Sequence, residues 1–196
     1  MKPLALAGLI GLLLAGAAIS QPLSGKEARK MLFSQKGVEV TMRPDAGLSP
    51  ALSKLLESVT LQVARDQGYY GAVAYSPDDG LQHAATVALA RYHSVQAAAN
   101  AALKVCNEAR KGAAECRVAA EIRPAKWKER PLTLSRAATE GFEKTYRRAK
   151  APKALAISPQ TGAWAIAQGG DAKTDALAKC NKDADTVSDC ETVIFD

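Results

Sequence analysis

Four cysteines in a chain of 196 residues constrain this sequence more than any other feature. They form two pairs, Cys106 with Cys116 and Cys180 with Cys190, each separated by ten residues, and an asparagine follows the first cysteine of each pair. Zinc sites favour C-x-x-C or closely spaced histidines, and neither pattern is present. Four cysteines allow three disulfide connectivities. The repeated spacing favours the local one, in which each pair closes its own loop.

The first twenty residues indicate export. They contain one lysine, an apolar run from Leu4 to Leu14 and small residues before Gln21, which is the order of regions in a secretory signal peptide. We expect cleavage between Ser20 and Gln21. The alternative, a retained membrane anchor, would need a longer apolar run. The mature chain is therefore expected to be periplasmic or secreted, where an even number of cysteines normally pairs.

Two segments that precede the cysteine pairs are similar to each other. GAVAYSPDDG at 71–80 aligns with KALAISPQTG at 153–162, with identity at five of ten positions. The proline and the first cysteine are 29 residues apart in the first copy and 21 in the second, so the first copy carries an eight-residue insertion. Together with the equal cysteine spacing, this pattern predicts an internal repeat.

Each copy is predicted to form a β-β-α-β unit. A short apolar strand ends at Ser-Pro, and Gly80 or Gly162 is expected to supply the conformational freedom that turns the chain back. The next helix has Ser94 or Asp171 as its N-cap and ends at the first cysteine. The predicted strands are 72–75, 82–90 and 117–122 in the first copy and 154–157, 163–168 and 192–195 in the second.

The whole chain is thus predicted to be an α+β protein, with two tandem β-β-α-β units that share a core or a sheet, plus an N-terminal helical segment. The predicted organisation is a signal peptide at 1–20, an N-terminal segment at 21–68, a first unit at 69–122, a basic helical connector at 123–152 and a second unit at 153–196.

The N-terminal segment is predicted to contain helices at 25–34 and 50–67 and a strand at 38–42. In the second helix Ser49 is the expected cap and Pro50 the first helical residue. Its apolar residues form one stripe, which we expect to face the core. The stripe consists of Leu52, Leu55, Leu56, Val59 and Val63.

The recurring elements resemble a family of small secreted bacterial domains of unknown function. That family combines an Ala-rich strand, a Ser-Pro-x-x-Gly turn, an Ala-rich helix and two cysteines, and both copies here match, over about 71–122 and 153–196. The resemblance implies an exported, disulfide-stabilised module and supplies no catalytic residues.

Positive charge is concentrated between the two copies. Residues 123–153 contain ten basic and three acidic side chains, a net charge of +7, whereas the rest of the mature chain sums to −2. A helix is predicted at 135–150, with Phe142 and Tyr146 as a packing pair. The basic residues either form an ordinary solvated face or a patch for an anionic lipid, lipopolysaccharide or acidic protein. The candidate patch consists of Arg123, Lys126, Lys128, Arg130, Arg136, Lys144, Arg147, Arg148 and Lys150.

Common catalytic motifs are missing from the sequence. It has no nucleotide-binding glycine loop, H-E-x-x-H or G-x-S-x-G, and His83 and His93 are its two histidines. Cys106 with His93 would imitate a thiol protease pair only if the cysteine were not oxidised. Adjacent Asp78 and Asp79 could bind Ca²⁺ weakly, but a role in forming the turn is favoured. We predict no metal and no cofactor.

Two function classes follow from these observations. The leading hypothesis is a non-enzymatic periplasmic binding or inhibitory module, whose partner is a protein or an anionic envelope component. Nucleic acid is not expected, because the compartment is wrong. The alternative is a small envelope hydrolase with His83 or His93 as the base. The processed protein is not expected to be an integral membrane protein, and the sequence leaves its oligomeric state open.

Overall fold

A computed structural model describes residues 21–196, so the predicted signal peptide lies outside the described residues. The helices are α1 (Gly25–Met31), α2 (Pro50–Gln67), α3 (Val95–Ala109), α4 (Arg136–Lys144) and α5 (Ala172–Ala184). The strands are β1 (Val38–Met42), β2 (Gly71–Tyr75), β3 (Val87–Leu89), β4 (Arg117–Pro124), β5 (Lys153–Ile157), β6 (Trp164–Gln168) and β7 (Glu191–Phe195). In the described part of the chain, no helix combines the length and the apolar character needed to cross a membrane.

The predicted α+β fold with two β-β-α-β units is confirmed, but the two units do not share a sheet. The first unit is β2-β3-α3-β4 and the second is β5-β6-α5-β7. Each has its own antiparallel sheet with its first strand in the middle, in the order β1-β4-β2-β3 in one and β6-β5-β7 in the other. Strand β1, from the N-terminal segment, therefore extends the sheet of the first unit.

Alternating alanines allow each helix to lie close to its sheet. Ala72 and Ala74 on β2 are fully buried with Ala98, Ala102 and Cys106 of α3 in one apolar cluster. The corresponding cluster of the second unit contains Ala154, Ala156, Ala172, Ala176 and Cys180. Because strand residues two apart share a face, the alternating small side chains place the whole helix against one side of the sheet. Packing of small residues explains why these alanines recur in both segments.

The two units also agree in finer detail. Both predicted local disulfides are present, Cys106–Cys116 and Cys180–Cys190, each with Cα atoms 6.1 Å apart. In each unit the asparagine after the first cysteine accepts a hydrogen bond from the amide of the second, at 3.0 Å. The closing strand has a bulge in each unit, at Ala119 in β4 and at Val193 in β7. Both bulged residues are thirteen positions after the first cysteine of their pair.

The N-terminal segment forms backbone hydrogen bonds with a strand of each unit. Leu23 pairs with β7 of the second unit through two backbone hydrogen bonds, Leu23 N–H to Val193 O at 3.0 Å and Phe195 N–H to Leu23 O at 2.9 Å. The chain then crosses to the first unit, where Val38–Met42 pairs with β4. The N-terminal segment, which has fewer than 50 residues and belongs to neither unit, therefore contacts both sheets.

The connector covers the second sheet on the side opposite α5. Phe142 and Tyr146 stack with ring centroids 5.3 Å apart, as predicted, and both are fully buried. They pack with Leu155 of β5 and Ile194 of β7 in the largest cluster of bulky side chains. The second sheet thus lies between two helical layers, which makes the connector part of the core of that unit.

Several predicted boundaries are wrong. The returning strand of the first unit is three residues long instead of spanning 82–90, because the insertion after Gly80 forms successive turns. Helix α1 ends at Met31 rather than at 34. The connector helix predicted at 135–150 ends at Lys144, and a separate 3₁₀ turn follows at Tyr146–Arg148. Asp171 occupies the N-cap position of α5, but its side chain makes no capping hydrogen bond.

The prediction that the apolar stripe of α2 faces the core is also wrong. Thr60 and Ala64 are buried, and Leu56 is half-buried beside Tyr75, whereas the other four residues of the stripe are exposed. Their exposed fractions are 45% for Leu52, 62% for Leu55, 52% for Val59 and 47% for Val63. The helix rests on its small residues, which permit close approach to β1, and this rotates the larger apolar side chains towards solvent.

Gly80 and Gly162 occupy equivalent turn positions for different physical reasons. Gly80 has a φ of +80° with open space around it, so its conformational freedom is what the turn requires. Gly162 does not have a positive φ, which corrects the expectation that the two are alike. A Cβ on Gly162 would lie 2.3 Å from the carbonyl oxygen of Arg91 in the first unit. Gly162 is therefore required because the backbones of the two units touch there.

This difference predicts losses of different size for the same substitution at the two glycines. Gly162→Asn should destabilise the protein by about 1–3 kcal/mol, because the new side chain pushes the two units apart. Gly80→Asn should cost less than about 1 kcal/mol, because asparagine tolerates the left-handed conformation. Urea unfolding followed by circular dichroism measures both. Equal losses of unfolding free energy in the two variants would contradict the close inter-unit contact.

Candidate functional site

His93 joins three segments of the chain in the interior. It lies between β3 and α3, and its residue is 2% exposed. Its Nδ1 accepts a hydrogen bond from the amide of Ser135 at 3.0 Å, at the start of α4. Its Nε2 lies 2.9 Å from the carbonyl oxygen of Ala163, between β5 and β6. Since Nδ1 must accept, Nε2 carries the proton and donates, and the ring is neutral.

Burial keeps the His93 ring neutral at pH values well below neutrality. Loss of hydration lowers the pKa of His93 from 6.5 to about 4, and the backbone carbonyls of Ala163 and Gly162 offset only part of this effect. Protonation would place a hydrogen on Nδ1, opposite the Ser135 N–H, and so remove one of its two links. His93 therefore holds the first unit, the connector and the second unit together as long as it is uncharged.

Beside this junction the two units form an open cleft of about 540 Å³. Leu89, Tyr92 and α3 of the first unit line one side, and the turn at 159–161 and the disulfide loop at 186–187 of the second unit line the other. Clefts at boundaries between structural units are common binding sites. Because each unit supplies one wall, the shape of this cleft depends on the contacts at His93 and Gly162.

Helix α3 presents two parallel rows to the cleft. Ala97, Ala101 and Val105 form an apolar row, and the polar row beside it consists of Gln96, Asn100 and Lys104. The Gln96 amide nitrogen donates to the Asn100 side-chain oxygen at 2.8 Å, which orients both amides. The facing wall adds further donors and acceptors, from Gln160, Thr161 and Thr186. The single charged residue among the lining residues is Lys104.

Sequence reasoning did not identify this cleft. The four-residue spacing of the polar row beside an alanine row on one helix is a readable signal that the face receives another backbone. No pattern in the sequence indicates that residues 159–161 and 186–187 stand opposite, because they are more than 50 residues away and on the other unit.

The turns and disulfide loops are held by carboxylates that serve a structural role. In the first unit Asp79 accepts hydrogen bonds from the amides of Lys111 and Gly112, and Asp78 accepts one from Ala114 at 2.8 Å. The amide of Lys111 and the Ser76 hydroxyl are the main groups that lower the pKa of Asp79. In the second unit the arrangement is reversed, since Asp189 of the loop accepts from Ser158 and from the Gln160 amide.

The candidate catalytic groups have partners within the protein, and the candidate metal ligands do not cluster in the described residues. Both nitrogens of His93 are engaged with backbone groups, and Cys106 is in a disulfide. His83 is more open, with Nδ1 accepting from the Ala85 amide at 3.1 Å and lying 3.9 Å from an oxygen of Asp79. His83 does not line the cleft. Among residues 21–196, no group of three histidine, cysteine or acidic side chains is placed to hold a metal ion.

Two arginines of the predicted basic patch bind the ends of helices. Arg130 donates to the carbonyl oxygens of Met31 at 2.5 Å and Leu32 at 2.8 Å, and its guanidinium lies 3.7 Å from the ring centroid of Phe33. Arg136 donates to the carbonyls of Arg65, at 2.9 Å, and Asp66. The last carbonyls of a helix lack partners within the helix and carry a partial negative charge. These arginines therefore attach α1 and α2 to the connector.

The other basic residues of the patch divide into paired and solvated groups. Arg123 pairs with Glu121 at 2.5 Å and lies over Trp127, while Lys144 and Arg147 pair with Glu140 and Glu143 one turn earlier. The remaining four are exposed, and in the part of the chain that the structure describes none of their side-chain nitrogens lies within 4.0 Å of a carboxylate; they are Lys126, Lys128, Arg148 and Lys150. Five of the nine side chains thus have partners within the chain.

No family model, curated protein or solved structure matches this chain.

The protonation of His93 predicts a specific loss of stability in mild acid. The unfolded chain binds the proton near pH 6.5 and the folded protein only near pH 4, so stability is complete above pH 6.5 and falls between these values. The full loss is about 3 kcal/mol. We expect unfolding free energy to decrease from pH 7 to pH 5, measured by urea denaturation.

The matched variants are His93→Gln and His83→Gln. Loss of a buried hydrogen bond should make His93→Gln less stable at pH 7, by about 1–3 kcal/mol, but its stability should vary much less between pH 7 and pH 5. His83→Gln should keep the slope of the wild type. An unchanged slope in His93→Gln would show that other groups cause the acid sensitivity.

Proposed function

We propose that this protein is an exported, non-enzymatic interaction module that binds an extended polypeptide segment of a protein partner in the cleft between its two units. The observation that carries the proposal is the composition of the cleft. Its walls combine small apolar side chains with neutral amides and hydroxyls, and its lining residues include no carboxylate, histidine or free thiol. Such a surface supports binding, and none of its lining residues supplies a carboxylate or an imidazole that would activate its hydroxyls or the Lys104 amine for a reaction.

The dimensions of the cleft favour an extended segment. From Gln96 to Lys104 helix α3 rises about 12 Å, at 1.5 Å per residue. An extended peptide covers the same distance with about four residues. Ala97 and Ala101 leave room for a main chain to approach, and the amides of Gln96 and Asn100 can exchange hydrogen bonds with its peptide groups. Lys104 at one end favours a ligand that is neutral or carries one carboxylate.

The disulfides and the buried junction support the same function. Disulfides persist in oxidising compartments outside the cytoplasm, and each one fixes the end of the helix and the loop of its unit. In the second unit that loop supplies Thr186 and Val187 to the cleft wall. A preorganised cleft loses less conformational entropy on binding than a flexible one. The covalent links therefore contribute to binding as well as to stability.

Blocking the cleft should abolish peptide binding. A phage-displayed library of unstructured heptapeptides is selected on the wild-type protein, and the enriched peptides are measured by calorimetry. Ala101→Gln fills the apolar row and should weaken binding at least about tenfold, because the peptide main chain loses its place. Ala109→Gln is the control, since Ala109 is also on α3 but exposed and outside the cleft.

Chemical-shift mapping of the wild type with an enriched peptide should place the largest changes at amides of both walls, including Asn100 and Thr161. Enriched peptides that bind Ala101→Gln as tightly as Ala109→Gln, or a selection that enriches no peptide, would contradict the proposed function.

A further inference from the structure

Helix α2 carries an exposed apolar stripe of the size that often marks a functional surface. Leu52, Leu55, Val59 and Val63 follow one another at intervals of three or four residues, so they lie along one side of the helix over about three turns. Together they expose roughly 300 Å² of apolar surface, which is in the range of functional patches on soluble proteins. All four side chains are about half exposed or more, so the patch is continuous rather than a single stray residue.

The residues that flank the stripe indicate what covers it. At 100° per residue, the solvent-side flank consists of Ala51, Ser58 and Gln62, which are small or neutral and exposed. The charges of Lys54, Glu57 and Arg65 point at least about 100° away from the centre of the stripe. A helix that lies on a membrane surface carries basic and aromatic residues beside its apolar face, and this one does not. Small neutral flanks are instead suited to close packing against another helix.

We propose that the stripe is the contact surface of a two-fold symmetric dimer, in which α2 packs antiparallel against α2 of a second copy of this chain. The stripe is self-complementary in this orientation, because Leu52 then meets Val63 of the second copy and Leu55 meets Val59. A two-fold axis requires such matching of one patch with itself.

Charge selects the antiparallel orientation. Asp66 is the one charged residue on the stripe side, near the C-terminal end of the helix. In the antiparallel dimer its carboxylate lies beside the N-terminal turn of the second copy's helix, at Ser49 and Pro50, where the helix dipole is positive. A parallel arrangement would place the two Asp66 carboxylates next to each other.

The area of the stripe sets the strength of the dimer. Two stripes remove roughly 600 Å² of apolar surface from water, and the flanks must add several hundred Å² for the contact to reach the roughly 1,000 Å² of a weak, transient interface. We therefore expect a weak dimer, with a dissociation constant in the micromolar range. This contact is separate from the inter-unit cleft, since α2 contributes no residue to the cleft lining.

Sedimentation velocity of the purified protein at increasing concentrations tests the proposal. The wild type should shift from monomer to dimer, and Leu55→Glu should raise the dissociation constant at least about tenfold. Lys54→Glu is the control on the same helix, because Lys54 is exposed and points away from the stripe, and it should dimerise nearly as well as the wild type. Leu55 is 62% exposed, so its replacement should leave the thermal unfolding midpoint almost unchanged.

Orientation is tested by a benzophenone photocrosslinker placed at Leu52. Crosslinks to the peptide that contains Val63 of the other copy support the antiparallel dimer, whereas crosslinks between the two copies of position 52 contradict it. A wild type that stays monomeric at all concentrations, a Leu55→Glu variant that dimerises as well as the wild type, or growth beyond a dimer would each overturn the proposal.

Discussion

The cleft depends on how the two units are held together at one buried junction. His93 accepts from the amide of Ser135 and donates to the carbonyl of Ala163, and Gly162 brings the second unit against the backbone at Arg91. These are contacts with the main chain, which has little freedom to relax. A buried polar ring with both nitrogens satisfied fixes geometry more strictly than apolar packing does. The relative position of α3 and the loops of the second unit follows from this junction.

Each unit is stabilised by a different part of the chain, although the two have the same element order. The first sheet gains β1 as a fourth strand, while the second sheet is covered by the connector and contacts α1. Arg130 and Arg136 then tie the connector to the ends of α1 and α2. Segments outside the two units therefore complete both of them. We infer that neither unit has a full core without these additions, since a sheet of about three strands with one helix buries little apolar surface.

The parts of the fold that repeat locally could be predicted from sequence. Equal cysteine spacing, the Ser-Pro turns and the alternating alanines determine the disulfides and the central strands, because those interactions join residues that are near in sequence or periodic. The apolar stripe of α2 shows what periodicity cannot predict. Periodicity identifies the apolar face of a helix, but it does not show whether the core of the protein covers that face. The insertion after Gly80 is the other limit, because its residues were assigned to a strand and form turns.

The junction and the cleft were beyond prediction for a different reason. A lone histidine such as His93 carries no sequence signal of its role, and its partners are 42 and 70 residues away. Gly162 matches Gly80 in the aligned turns, so comparison of the two suggests one function where the structure has two. The helix-binding roles of Arg130 and Arg136 are equally hidden within a run of positive charge. Each of these roles, of His93, of Gly162 and of the two arginines, depends on contacts with backbone groups that are distant in sequence.

A preformed binding site requires that the two units and the cleft between them form one rigid body at neutral pH. Residual dipolar couplings of backbone amides, measured at pH 7 in a weakly aligning medium, test it most directly. We expect a single alignment tensor to fit the amides of β2, α3 and β4 together with those of β5, α5 and β7. Two tensors that differ in magnitude or orientation would mean that the units move independently, and the cleft would then not be a preformed site.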